Sequence, residues 1–417
     1  MSGFALDASQ ARAVELMVRS KFCLVTGPPG SGKTTTLGAA LDAWGPRTEV
    51  ALAAPTGKAA RRMALQTGRE ACTLHRLLGY RGESFTVERI RAHVVVIDES
   101  SMIDYELGLA LFTRLGDARL VMVGDANQLP PVGPGRLFGD LVDAEAAPVA
   151  RLNTQHRARE RSWVARNAPS ILTGGPLEMQ PCSDFEWVQI EDPKEVARVV
   201  RERIVASGYA RGGESPPMVL APQRTGPAGC HALGLALDPV LNLEAPVARE
   251  GEPVLVHRGG DGDGESDDGD RVPLRVGSRV IQTRNNYDLE VMNGELGWIV
   301  DLSDPEGRVV VRFPELAKQG AVITYSKAEA RQLECAYALT VHKTQGSEFA
   351  HVIVVIHSSH RIMLNRSILY TAITRASQRV TIVGDEKGLR LALKVNAAKR
   401  ATTLVERIRG TLEAPRL

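Results

Sequence analysis

Aromatic residues are scarce, at 5% of 417 positions, and no apolar run approaches the roughly 18 residues that a membrane-spanning helix needs. A helical membrane protein is therefore excluded. Charge of one sign is also missing. Lys and Arg number 51 against 49 Asp and Glu, which leaves +2. No global basic field draws nucleic acid in, so any anion-binding surface has to be local. The five cysteines, Cys23, Cys72, Cys182, Cys230 and Cys335, are odd in number and far apart. They make no disulfide framework and no C-x-x-C pair. Cys72 and His75 have a C-x-x-H spacing but no second ligand pair, which argues against zinc. The first residues, MSGFALDASQARAV, lack a charged-then-apolar leader, and a reducing, cytoplasmic setting is expected.

What is present is an ordinary soluble composition, 43% hydrophobic and 24% charged, long enough for two or three domains. Over the first 150 residues, short β-branched runs alternate with amphipathic stretches. The runs are 22–26, 50–54, 94–97 and 120–123, and the stretches include 34–44 and 57–65. Near-continuous apolar runs of this length are strands buried on both faces, so the pattern predicts a parallel α/β sheet. The runs at 218–221, 352–356 and 380–383 predict a second α/β domain, within 151–417. Between them, residues 271–335 carry alternating runs punctuated by Gly277, Asn285, Asn293-Gly294, Gly297 and Gly307, the texture of a small antiparallel β insertion. Residues 259–270, GGDGDGESDDGD, have six acids and five glycines and nothing to bury; a disordered loop is expected.

Gly27-Pro28-Pro29-Gly30-Ser31-Gly32-Lys33-Thr34-Thr35 follows an apolar strand and opens a helix, the context a P-loop requires. Its backbone N–H groups would curl around phosphates, Lys33 would reach the β/γ-phosphates, and the Thr34 hydroxyl would ligate Mg²⁺. The strand at 94–97 ends in Asp98-Glu99. Asp98 suits the metal, and Glu99 suits polarisation of an attacking water. Together the two elements predict hydrolysis of Mg²⁺-bound ATP or GTP without saying what it drives.

The remaining motifs carry a resemblance. They run in this order: Leu6-Asp7-Ala8-Ser9-Gln10; Ala54-Pro55-Thr56-Gly57-Lys58; Thr73-Leu74-His75-Arg76; Gly124-Asp125-Ala126-Asn127-Gln128-Leu129-Pro130-Pro131-Val132; Gln155-His156-Arg157; Thr340-Val341-His342-Lys343-Thr344-Gln345-Gly346-Ser347-Glu348; and Tyr370-Thr371-Ala372-Ile373-Thr374-Arg375. In this order the chain resembles superfamily 1B DNA helicases of the RecD type, and also Dda-like phage helicases and the helicase modules of conjugative relaxases. The resemblance implies two RecA-like P-loop NTPase domains, 1–150 and 151–417. It also implies an SH3-like insertion at 271–335 and a short β-hairpin pin at about 79–90.

It implies further that ATP is the nucleotide, lying in a cleft between the two domains and read at the adenine edge by Gln10. Gln128 would sense the γ-phosphate, and Arg157 and Arg375 would act on it from the second domain. Gly346 and Glu348 would sit on the nucleotide side. Pro55, Thr56, Lys58, Thr73, His75, Arg224, Thr340 and His342 would face DNA. For His75 a purely structural role stays open. Two positions depart from the pattern: His156 stands where an aromatic is usual, and Gly234 where Asn is common. The activity implied is 5′-to-3′ translocation on single-stranded DNA with unwinding of tailed duplex, by a monomer and without a membrane. A DNA-stimulated ATPase that does not separate strands, and a non-catalytic binding subunit, are the alternatives.

Overall fold

The computed structural model describes all residues except 1–5, 154–161, 180–183, 207–215, 242–254, 258–270, 317–319, 397–399, 401 and 414–417. The chain packs as two units, Met1–Ala165 with Asn396–Leu417, and Arg166–Val395.

In the first unit the strands are β1 (Phe22–Thr26), β2 (Val50–Ala54), β3 (Ala71–Thr73), β4 (Val94–Ile97), β5 (Arg119–Gly124) and β6 (Val149–Arg151). They form one sheet in the order β3-β2-β4-β5-β1-β6, and every pairing is parallel. The helices are α1 (Ala8–Arg19), α2 (Lys33–Trp44), α3 (Gly57–Thr67), α4 (Leu74–Leu77), α5 (Tyr105–Arg114) and α6 (Leu137–Asp143). Local chemistry sets their starts. Asp7 and Gln10 close a capping box on α1, and the hydroxyls of Thr56 and Thr73 and the carboxylate of Asp104 cap α3, α4 and α5. Two apolar layers sandwich the sheet. One holds Met17, Leu37, Leu41 and Met63; the other holds Leu74, Leu107, Leu111 and Phe138.

The second unit holds α7 (Trp163–Thr173), whose first turn carries the divide between the units, then β7 (Phe185–Gln189), α8 (Val196–Ala206), β8 (Met218–Ala221) and α9 (Cys230–Leu241). A run of short strands follows: β9 (Leu255–His257), β10 (Arg271–Pro273), β11 (Arg279–Gln282), β12 (Leu296–Asp301), β13 (Val309–Phe313), β14 (Ala321–Tyr325) and β15 (Leu333–Cys335). The chain then returns through β16 (Ala338–Thr340), β17 (Phe349–Ile356), α10 (Arg366–Ile373), β18 (Ala376–Gly384) and α11 (Glu386–Lys394). The core sheet is parallel, in the order β16-β8-β17-β18-β7. The insertion is a seven-stranded sheet, β10-β9-β15-β11-β12-β13-β14, antiparallel except where β15 meets β9.

Two expected boundaries are corrected. The β insertion begins at β9, before residue 271, because β9 pairs with β10 and β15. The second domain does not run to 417. The last helix, α12 (Leu404–Glu413), lies in the first unit, where Leu404 and Ile408 pack on the Leu107–Phe138 layer. Arg409 there donates to the Asp143 carbonyl at 2.8 Å. The acidic run 259–270 lies outside the described residues. Among the described residues no helix is long and apolar enough to cross a membrane, and the described cysteines are free thiols.

Candidate functional site

A strand whose apolar run ends abruptly delivers its next residue to the carboxyl edge of the sheet, where parallel α/β folds bind ligands. In the first unit that edge collects nearly every predicted residue. The P-loop follows β1. Gly30 and Gly32 both have φ 79°, the left-handed region that glycine fills without cost, and Gly32 is the N-cap of α2. A Cβ on Gly27 would meet Ser31 Oγ at 2.7 Å and the Leu152 carbonyl at 2.8 Å, so that position admits glycine only. Lys33 Nζ donates to the Gly27 and Pro28 carbonyls at 2.7 and 3.0 Å, which holds the ammonium over the loop. Thr34 is half-buried and Thr35 exposed at the start of α2.

One strand, β5, separates the P-loop strand from β4. Asp98 and Glu99 follow β4 directly, and Glu99 adopts φ 51°, ψ 38°, a left-handed conformation rare for a residue with a Cβ. Burial, together with the charge of Glu99, pushes the Asp98 carboxyl up to about 6, while Lys33 and Arg62 oppose the shift. As a whole residue Asp98 is half-buried at the strand end. The Glu99 N–H donates to Asp98 Oδ1 at 2.8 Å.

The turn after β5 lies between these two. Buried Asp125 organises it, accepting from the Asn127 N–H at 3.0 Å and from Gln128 Nε2 at 3.4 Å. The Ala126 N–H donates to Thr26 Oγ1, which ties the turn to the P-loop strand. Ser31 Oγ and Gln128 Oε1 are both buried and have no hydrogen-bond partner within the protein. Buried polar atoms are rarely left so. Two such atoms on the two turns that flank one sheet edge fit a polar ligand such as a phosphate and its water. Gln10 is buried, and its Oε1 accepts from the Asp7 N–H at 3.0 Å, so its capping role is structural whatever else it reads. Among the described residues no group of three or more His, Cys, Asp or Glu side chains could hold a metal alone. A Thr34 hydroxyl and an Asp98 carboxylate fit Mg²⁺ only in the mode in which phosphate oxygens complete its shell.

The predicted DNA-facing residues of this unit leave the neighbouring strands at the same edge. Ala54 pairs with Thr73 in register, so Pro55, Thr56 and Lys58 emerge beside Thr73 and His75. Thr56 Oγ1 accepts from the Ala59 N–H and Thr73 Oγ1 from the Arg76 N–H. The His75 ring packs against Tyr80 at 5.2 Å and Phe85 at 6.4 Å, and desolvation lowers its pKa against the pull of Asp104. Those rings belong to a small hairpin in which Thr86 N–H bonds the Gly79 carbonyl, Val87 N–H bonds that of Leu78, and Tyr80 bridges Phe85. Arg114 lies 5.4 Å over the Phe85 ring and anchors its base.

In the second unit the predicted residues divide between the two edges. Thr340 ends β16 and pairs with Ala221 at the end of β8, so Thr340, His342 and the Arg224 loop share the carboxyl edge. Gly346, with φ 76°, and Glu348 precede β17 at the opposite edge, as Arg375 precedes β18. Buried Arg375 donates from Nη1 to the Ser347 carbonyl at 3.1 Å and from Nε to that of Thr371 at 3.3 Å. Residues 341–348 therefore link the two groups directly. Arg157 lies outside the described residues. Asp125 and Arg62 act on the site without having been singled out in the sequence; Asp125 lies inside a quoted motif, whereas nothing local marks Arg62.

Residues 5–192 match a model described as AAA domain, residues 256–313 the ATP-dependent RecD-like DNA helicase SH3 domain, and residues 335–383 the UvrD-like helicase C-terminal domain. Over 455 residues the chain is 32% identical to the RecBCD enzyme subunit RecD of Mycobacterium tuberculosis, covering 96% of this chain and 73% of that one. The chain belongs to the RecD-type family of superfamily 1B helicases. It is also 35% identical to the ATP-dependent RecD2 DNA helicase of Deinococcus radiodurans over 97% of its length, and spans 53% of that relative. A Pif1 helicase from Bacteroides, solved with ADP-AlF3 and single-stranded DNA, shares the fold at a TM-score of 0.57, with 20% identity and 98% of each chain covered.

Proposed function

We propose that this RecD-type chain hydrolyses ATP to move 5′ to 3′ along single-stranded DNA and to separate tailed duplex, acting as a monomer. One observation carries the reading. The P-loop, Asp98-Glu99 and Gln128 share a sheet edge with the Thr56 and Thr73 strand ends, and β4, which carries Asp98-Glu99, lies directly beside β2, which leads into Thr56.

Each residue takes the part its surroundings suit. The loop N–H groups and Lys33 hold the β/γ-phosphates, with Ser31 Oγ as a further partner. Thr34 and Asp98 hold Mg²⁺, which supplies charge neutralisation on the phosphate oxygens when bound. Glu99 takes the proton of the attacking water. Gln128 donates its amide to Asp125 and presents Oε1, a neutral acceptor suited to orienting that water. We assign Arg375 and Arg157 to the charge that grows on the γ-phosphoryl oxygens, for which a planar, permanently charged donor is needed. Gln10 reads the adenine, and Gly346 and Glu348 serve the nucleotide side. Pro55, Thr56, Lys58, Thr73, His75, Arg224, Thr340 and His342 serve the DNA.

ATP hydrolysis measured with and without oligothymidylate tests this reading. The parent should be stimulated by DNA, and Lys33→Ala should lose on the order of 10² or more in rate. Absence of stimulation would overturn the motor reading, and full activity in Lys33→Ala would overturn the P-loop assignment. The shortness of the 79–90 hairpin favours, as a second reading, a translocase that does not split duplex.

A further inference from the structure

The loop after β17 has features that the site above does not use. Arg361 sits at φ 47°, ψ −119°, the first corner of a type II′ turn. Glycine fills that corner freely, and a residue with a Cβ is strained there. Such a conformation persists only where the surroundings hold it, and it concentrates at functional positions. The next residue, Ile362, is 94% exposed, more than any other large apolar side chain among the described residues.

Behind this tip the loop is built on buried, bonded polar groups. Asp385 accepts from the Ser358 N–H at 2.7 Å, from the Ser358 hydroxyl, and from the Gly388 N–H at 3.0 Å. His357 Nε2 donates to the Glu191 carbonyl at 3.1 Å. His360 accepts on Nδ1 from the His357 N–H and donates from Nε2 to the Ala228 carbonyl at 3.2 Å. That last bond fastens the tip to the 222–229 loop, which carries Arg224. Because β17 runs parallel to β8, and β8 to β16, the tip rises from the same sheet edge as Arg224, Thr340 and His342.

An aliphatic side chain fully in water beside an exposed guanidinium suits one kind of ligand. Apolar wedges of this size insert between bases, and arginine takes the neighbouring phosphate. A protein interface would instead need roughly 800 Å² on each side, and one projecting isoleucine does not supply it.

We propose that Arg361 and Ile362 form a further contact for single-stranded DNA on the second unit. Ile362 packs between successive bases, and Arg361 meets a backbone phosphate. The contact is independent of base identity, since every base has an apolar face. The proposal rests on the motor reading above and adds a base-directed grip to it.

The test uses the whole chain and oligothymidylate. Ile362→Trp places a reporter at the tip, and its emission on DNA addition is compared with that of the parent, which has four tryptophans. The variant should show a quench that the parent lacks. Ile362→Ala should weaken oligothymidylate binding roughly tenfold with the salt slope unchanged. Arg361→Gly should lower the salt slope by about one and leave the melting temperature equal or higher, because glycine relieves the strained corner. If the parent binds DNA while the Ile362→Trp emission is unmoved and Ile362→Ala binds within about twofold of it, the tip is no DNA contact and the motor reading stands. A parent that does not bind oligothymidylate overturns both.

Discussion

Asp98 shows what a single residue costs and contributes. Its carboxyl is pushed up to about 6 by burial and by Glu99. An acid whose folded pKa is raised stabilises the fold below its unfolded pKa, and that contribution is lost as pH rises through about 6. At pH 7.5 the ionised Asp98 therefore works against the nucleotide-free fold. Asp98→Asn should raise nucleotide-free stability there by roughly 1–2 kcal/mol while abolishing hydrolysis. Thermal unfolding followed from pH 5 to 8 checks it; a variant less stable than the parent at pH 7.5 would show that the carboxylate is well solvated or paired. The P-loop and the Asp98-Glu99 pair were legible because their chemistry is written in adjacent residues. The parts of Arg62 and Asp125 were not, since Arg62 reaches Asp98 only through the packing of α3 against β2 and β3, and Asp125 acts through a turn geometry that its neighbours do not spell out.

At the scale of elements, the buried strands were plain from apolar runs, and β1, β2, β4 and β8 fall where those runs do. The short strands β3, β6, β7 and β9 were not legible. Three to five mixed residues carry no period, and only pairing with a neighbour makes them strands. A hairpin was expected at about 79–90, the bonds from Val87 to Leu78 and from Thr86 to Gly79 close one there, and its aromatic base gives a test. Tyr80 is 44% exposed and packs edge-on against His75 and at a tilt against Phe85. If it is the wedge, Tyr80→Ala should keep DNA-stimulated hydrolysis within about twofold and reduce strand displacement severalfold. Equal displacement by parent and variant would move the wedge elsewhere.

The polar scaffold of the second unit makes a pH prediction of its own. Burial pushes His351 and His360 down to about 4. A base with a depressed folded pKa leaves the unfolded chain binding more protons between about 4 and 6.5, so stability falls as pH drops through that window. Each histidine should contribute on the order of 1–2 kcal/mol of loss by pH 5. Denaturant melts at pH 7 and 5 for the parent and for His360→Gln would show it, with the variant's pH dependence visibly shallower. An identical dependence in both would remove His360 as the source.

At the scale of the whole molecule, two parallel sheets of like design carry the motifs in chain order, and that much followed from the alternation of apolar runs and helices. The return of α12 to the first unit did not, because LVERIRGTLE is an amphipathic pattern that names no partner. Its partner is set by where Leu404 and Ile408 find an uncovered apolar layer. The consequence is a first unit assembled from both ends of the chain.

The central claim is directional, ATP-driven motion on one DNA strand. Strand displacement by the parent chain, with ATP, on duplexes that differ only in carrying a 5′ or a 3′ single-stranded tail tests it most directly. The account predicts that the 5′-tailed duplex is separated, that the 3′-tailed duplex is left intact, and that Lys33→Ala separates neither. Separation of the 3′-tailed duplex alone, or of either duplex without ATP, would contradict it.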